Sequence, residues 1–383
     1  MSTAAGRLGR AGPPRGLDVG PQRPRSTRRP YLDNLKVVLV AGVILGHACI
    51  TYGDLGSWAY HEPSTSEAFN LGAAVIVSLG SLFAMGTFFL VAGLLTPGPV
   101  LRKGPWAFLR DRALRLGIPF AAYLLLMYPL VNWLGGREHS LGWYLREQRD
   151  RLDPGPLWFV GVLFLFSAAY AVWRAMTPTP RATGPVGGTF LMWLVVAIAA
   201  GTFVVRLWYP IDSFQPFAAH LWQWPQCLGL FVLGVRAAEH GGLEPVRVRI
   251  RRVGGWSALA ATAVVLAALA TAASVDPFAG GTTWKAMLTA ACEGAIAVGL
   301  SVWLMGTFQR HFDHAGRLAT ALGRAAFGAY VLQAPVLVTI AVLASRVPAT
   351  PEVRFLVVAP AAIAGSFGLA WVLTQLPGVR WLL

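Results

Sequence analysis

The chain has 383 residues, of which 55% are hydrophobic and 13% charged, against about a quarter charged in a soluble domain. That deficit and the long apolar runs behind it exclude an ordinary soluble enzyme and indicate an all-α integral membrane protein. The net charge of +15 fits basic loops that fix topology, so no nucleic-acid partner is expected.

Residues 1–30 hold seven arginines among prolines and glycines and read as a disordered basic cytoplasmic tail. Residues 31–383 read as one polytopic membrane domain. Thr27–Leu32 faintly resembles a twin-arginine export signal, but no small-residue cleavage site follows, so a retained first helix is expected. About ten transmembrane helices of ~20 residues are expected. They run over 35–52, 69–95, 113–134, 156–176, 187–208, 218–238, 256–275, 284–306, 323–345 and 354–376. The second is long enough to tilt. Pro119 and Pro129 predict a kinked third span. With the N-terminus inside, 24 of the 32 lysines and arginines fall on the cytoplasmic side, which places both termini in the cytoplasm.

Outside the spans, the 135–155 loop is the longest polar segment on the outer side and a candidate contact for a substrate. The aromatics of LWQWPQ (221–226) read as an interfacial belt. His311–His314 reads as a solvated loop. Cys49, Cys227 and Cys292 lie in apolar runs without a CxxC, so neither a disulfide framework nor a metal site is expected.

Ionisable groups inside the spans are costly and point to function. Lys36 and His47 are eleven residues apart, nearly three helical turns, so they share one face about 16 Å apart along the axis. Lys36 sits at the cytoplasmic boundary and His47 near the midplane. Asp33 can pair with Lys36 or cap the helix. Glu293 and Gln333 reach a similar depth in the eighth and ninth spans. In the loop after the second span, Arg110, Arg112 and Arg115 form a basic group. Arg112 and Arg115 lie three apart on one helix face, which fits topological anchoring or a socket for an anionic ligand.

Taken in order, several stretches resemble the membrane acyltransferase-3 family of bacterial multi-span O-acyltransferases. LDNLK with His47 in register resembles its first-span motif of a basic residue, ten residues and a histidine. ITYGDLGSWAY (50–60), FFLVAGLL (88–95), RDRALRLGIPF (110–120), PLWFVGVLFLF (156–166), QWPQCLGLFVLGVRA (223–237), CEGAIAVGLSVWL (292–304) and AAFGAYVLQAPVLV (325–338) are similar to later family segments. Lys36 stands where the family has arginine, Ala92 where serine is common, and Gln333 where histidine is common.

The resemblance implies an acyl-CoA donor from the cytoplasm and a hydroxyl acceptor on a sugar, glycolipid or polysaccharide, in the cytoplasmic membrane of a bacterial cell. It implies an acetyl group in the first instance and no tightly bound cofactor. Lys36, Arg110, Arg112 and Arg115 would hold the CoA phosphates. His47 would act as general base, because burial disfavours its charged form. Glu293 would orient His47, and Gln333 would donate to the developing oxyanion. Asp33, Asn34, Trp158 and Tyr330 fall within the matching motifs as supporting residues. The alternative is a proton-coupled transporter or flippase in which His47 and Glu293 relay protons; a third reading is a non-catalytic anchor.

Overall fold

The computed structural model describes residues 29–379, apart from 57, 137, 178–185, 212, 242 and 272–275. Most of the expected basic tail, residues 1–28, lies outside the described residues. Helices dominate the rest: α1 (Pro30–Tyr52), α2 (Glu67–Ser81), α3 (Ala84–Leu95), α4 (Pro105–Arg112), α5 (Trp158–Met176), α6 (Gly188–Arg206), α7 (Trp224–His240), α8 (Val248–Ala270), α9 (Trp284–His311), α10 (Arg317–Ala344) and α11 (Pro351–Leu373). The three cysteines are buried and free.

Among the described residues, nine helical segments are long and apolar enough to cross a membrane, against about ten expected. The difference is α7. The chain enters it through a 3-10 turn at Leu221–Gln223, Pro225 lies in its first turn, and 17 residues remain. At 1.5 Å per residue that is about 26 Å, short of a ~30 Å hydrocarbon core. α7 packs tightly along α3. A Cβ on Gly93 would stand 2.2 Å from the Phe231 carbonyl oxygen, and one on Gly234 would stand 2.2 Å from that of Leu90. Such backbone-to-backbone approach is what small residues allow between membrane helices.

The second expected span is not one tilted helix. It breaks at Leu82–Phe83, where Phe83 leaves helical geometry (φ −144°, ψ −30°). A break inside a membrane frees backbone groups that need new partners. Gln226 of α7 supplies one, its Nε2 donating to the Ser81 carbonyl at 2.9 Å.

The third span is irregular near both of its prolines. Helix runs from Pro105 to Gly136 with π-turns at Ala113–Gly117 and Tyr123–Met127, each ending two residues before Pro119 or Pro129. Proline has no N–H and its ring crowds the carbonyl four residues back. A wider turn ahead of each proline accommodates that crowding.

α1 is the central helix, packed against α2, α9, α10 and α11. Its buried Ile44, Ala48 and Tyr52 join one hydrophobic cluster, and its buried Leu32, Leu35 and Leu39 join another. The helix that carries Lys36 and His47 therefore joins the two clusters.

Candidate active site

Lys36, Val40, Val43 and His47 recur along α1 at steps of four and three, which places them on one stripe. Lys36 and Val40 line a cavity of about 320 Å³ together with Arg112, Arg324, Phe159 and Tyr330. Val43 and His47 line a second cavity, of about 570 Å³, with Trp158, His220, Gln223 and Tyr330. Tyr330 therefore belongs to both. Its hydroxyl donates to the Pro156 carbonyl, and its ring packs 5.6 Å from Phe159, edge to face. The broken end of α2, from Ile76 to Ser81, faces the second cavity.

At the basic end, Lys36 Nζ pairs with Asp33 Oδ1 at 2.8 Å. Asn34 Nδ2 donates to the carbonyls of Phe312 (2.7 Å) and His314 (3.2 Å), fastening the α9–α10 linker to α1. That contact fixes the start of α10, which carries Arg324. Arg112 sits with its guanidinium 5.4 Å from the Phe108 ring centroid. Arg110 and Arg115 are exposed and do not line the cavity. A π-turn starts at Ala113, between Arg112 and Arg115, and of the two only Arg112 lines the cavity. The structure thus brings Lys36 and Arg112 together, adds Arg324, and leaves Arg110 and Arg115 outside.

His47 is half-buried. Its Nδ1 lies 3.0 Å from the Val43 carbonyl oxygen and 3.1 Å from Gln333 Oε1. Both partners accept, so Nδ1 carries the proton and Nε2 keeps a lone pair. The Trp58 ring stacks on the imidazole at 5.0 Å. Trp58 Nε1 donates to Thr51 Oγ1 at 2.8 Å, and Thr51 Oγ1 donates to the His47 carbonyl at 3.0 Å. The imidazole is held on three sides with one nitrogen unengaged by these contacts. Gln333 is buried, and its Nε2 has no hydrogen-bond partner among the described residues.

Glu293 pairs elsewhere. Its Oε2 lies 2.5 Å from Arg206 Nη2, with both side chains buried. The contact that orients His47 is made by Gln333, and the sequence offered no partner for Glu293 because Arg206 reads as an outer-side charge. Arg206 in turn stands 5.3 Å from the centroid of the Trp222 ring. Trp222 is 6% exposed and lines the second cavity. Its ring is buried against protein rather than exposed on the outer surface of the helices.

Four contributors escaped the sequence reading. Arg324 and Arg206 were counted as topological charges. Trp58 lay within a matching motif without a named role, and His220 fell near the start of the expected 218–238 span without being singled out. Trp158 lines the second cavity and Tyr330 lines both. Among the described residues, no group of three or more His, Cys, Asp or Glu is placed to hold a metal ion.

A family model described as an acyltransferase domain, the third acyltransferase family, matches residues 29–375. No curated protein and no solved structure matches the chain.

Proposed function

The chain belongs to the acyltransferase-3 family and is a multi-pass membrane acyltransferase; from that premise we propose that it moves an acetyl group from cytoplasmic acyl-CoA to a hydroxyl of a sugar, glycolipid or polysaccharide. The observation that carries this reading is the meeting of two cavities at Tyr330, one with a basic mouth and one lined by His47. A transferase needs such a pair of approaches to one point.

In this reading the N-terminus faces the cytoplasm, as the distribution of lysine and arginine favours, and the membrane is the cell's cytoplasmic membrane. The CoA phosphates rest against Lys36, Arg112 and Arg324, where the arginine guanidinium groups match phosphate oxygens. The pantetheine arm lies along Val40, Phe159 and Tyr330 and presents the thioester carbonyl beyond Tyr330. The acceptor hydroxyl enters from the His47 side. His47 Nε2 takes its proton as the oxygen bonds to the carbonyl carbon. The Nδ1–H bonds to Val43 and Gln333 then stabilise the imidazolium, as an orienting acceptor does in hydrolytic triads. Gln333 Nε2, without a protein partner, is the donor for the tetrahedral oxyanion. The C–S bond breaks, the thiolate takes the proton from His47, and CoA and the ester leave. No tightly bound cofactor enters the scheme.

The test is release of free CoA from acetyl-CoA by the protein in lipid, with and without an extract of envelope sugars and lipids. Release that requires both the extract and His47 is the expected result. Intact thioester in every condition, with folded protein, sinks the reading and favours transport.

A further inference from the structure

The segment from Ser213 to Gln223 is neither a span nor an ordinary linker. Phe217 (φ 55°), Ala218 (φ 44°) and His220 (φ 47°) all adopt left-handed backbone, a conformation L side chains seldom take. Three such residues in four positions persist only where the surroundings over-determine them. Those surroundings are visible. Gln215, itself buried, accepts through Oε1 from the Leu221 amide. Trp224 Nε1 donates to the Ala219 carbonyl at 2.8 Å. The Gln223 amide donates to the His220 carbonyl at 2.9 Å.

This fold of the loop delivers one side chain to a specific place. The His220 ring lies 5.0 Å from Trp158 and 6.3 Å from Trp222. All three line the cavity that holds His47. Gln223 lines the same cavity. It is 5% exposed, and its Oε1 has no partner among the described residues. A buried acceptor without a donor costs stability unless something supplies one. Trp222 is fixed from behind by the buried Arg206–Glu293 pair.

We propose that His220 and Gln223 form the acceptor-side subsite and set its specificity, with the indoles of Trp158 and Trp222 as walls for a hydroxyl-bearing ring. The imidazole and the Gln223 carbonyl hydrogen-bond ring hydroxyls, and the indole faces cover the apolar face of a pyranose. A site built this way rejects analogues that lack the bonded hydroxyl far more strongly than an apolar slot does. The assignment rests on the acyl-transfer reading for its role and on the loop's own geometry for its ligand class.

The experiment uses the full chain in lipid nanodiscs, free of glycoside detergent. Thermal stabilisation is measured with a panel of methyl hexopyranosides and, separately, with acetyl-CoA. Wild type is compared with His220→Asn, which tolerates left-handed backbone, and with Gln223→Leu. At least one glycoside stabilises wild type, each variant raises its half-saturating concentration tenfold or more, and stabilisation by acetyl-CoA persists as a check of folding. Equal glycoside response in variants and wild type, or none in wild type, overturns the subsite. CoA release is followed in parallel. Its absence beside a variant-sensitive glycoside response sinks the transfer reading while the subsite stands.

Discussion

Gln333 Oε1 lies 3.1 Å from His47 Nδ1, and with the Val43 carbonyl at 3.0 Å it commits the imidazole proton to that nitrogen. Gln333→Leu removes one of the two acceptors and leaves His47 in place. A hydrogen bond to a group that becomes charged contributes about 1.5–3 kcal/mol. Loss of this bond alone lowers the rate constant for transfer ~10–100-fold, and loss of the Nε2 oxyanion donor lowers it further. Concentration dependence on acetyl-CoA stays near that of wild type. His47→Ala falls further, by about 10²–10⁴. A Gln333→Leu protein with undiminished turnover removes the amide from the mechanism.

The basic cavity separates the arginines into two classes. Lys36→Ala, Arg112→Ala and Arg324→Ala are expected to raise the KM for acyl-CoA by about tenfold each, since a charged contact is worth ~1.4 kcal/mol or more. Arg110→Ala and Arg115→Ala, which leave the cavity wall untouched, shift it by less than about twofold, as exposed charges do. Lys36→Arg, which adds a planar fork, retains activity. Steady-state kinetics across an acyl-CoA titration read all of these. Equal effects from the lining and non-lining arginines would contradict the donor site.

Glu293 and Arg206 act on structure before they act on chemistry. Removing either partner leaves a buried charge alone, with a cost of about 3–5 kcal/mol. Glu293→Ala and Arg206→Ala are expected to lower the melting midpoint in lipid far more than the joint Glu293→Leu, Arg206→Met substitution. A double variant as unstable as either single one would show that the pair is not what the fold requires.

The α3–α7 contact gives a prediction independent of catalysis. Gly93→Ala and Gly234→Ala each place a Cβ about 2.2 Å from a backbone oxygen of the facing helix. Neither backbone can yield without separating the helices, so a loss of about 1–3 kcal/mol is expected. Gly72→Ala meets nothing within 4 Å and is expected to be neutral or slightly stabilising, given alanine's higher helix propensity. Melting midpoints of the three variants order them.

The Lys36–His47 stripe was legible because both residues lie on one unbroken helix, where spacing alone sets direction. The break at Leu82–Phe83 was not, since hydropathy runs evenly through 69–95 and the partner of the freed carbonyl, Gln226, is far away in sequence. That Arg112 and not Arg115 lines the basic cavity was not legible, because a π-turn intervenes between them and no spacing rule announces it. Glu293 was noticed for its burial, but its partner depends on how α6 and α9 pack. His220 fell inside the expected 218–238 span, but no spacing set it apart from the residues around it. Its position follows from left-handed backbone in a linker, which no periodicity encodes.

Tyr330 forms part of both cavity walls, and its ring is tied through its hydroxyl to the Pro156 carbonyl. Among the described residues, Tyr330 is common to both linings. In the proposed transfer it stands between donor and acceptor, where a two-carbon group is handed past it while the bulk of either carrier stays on its own side.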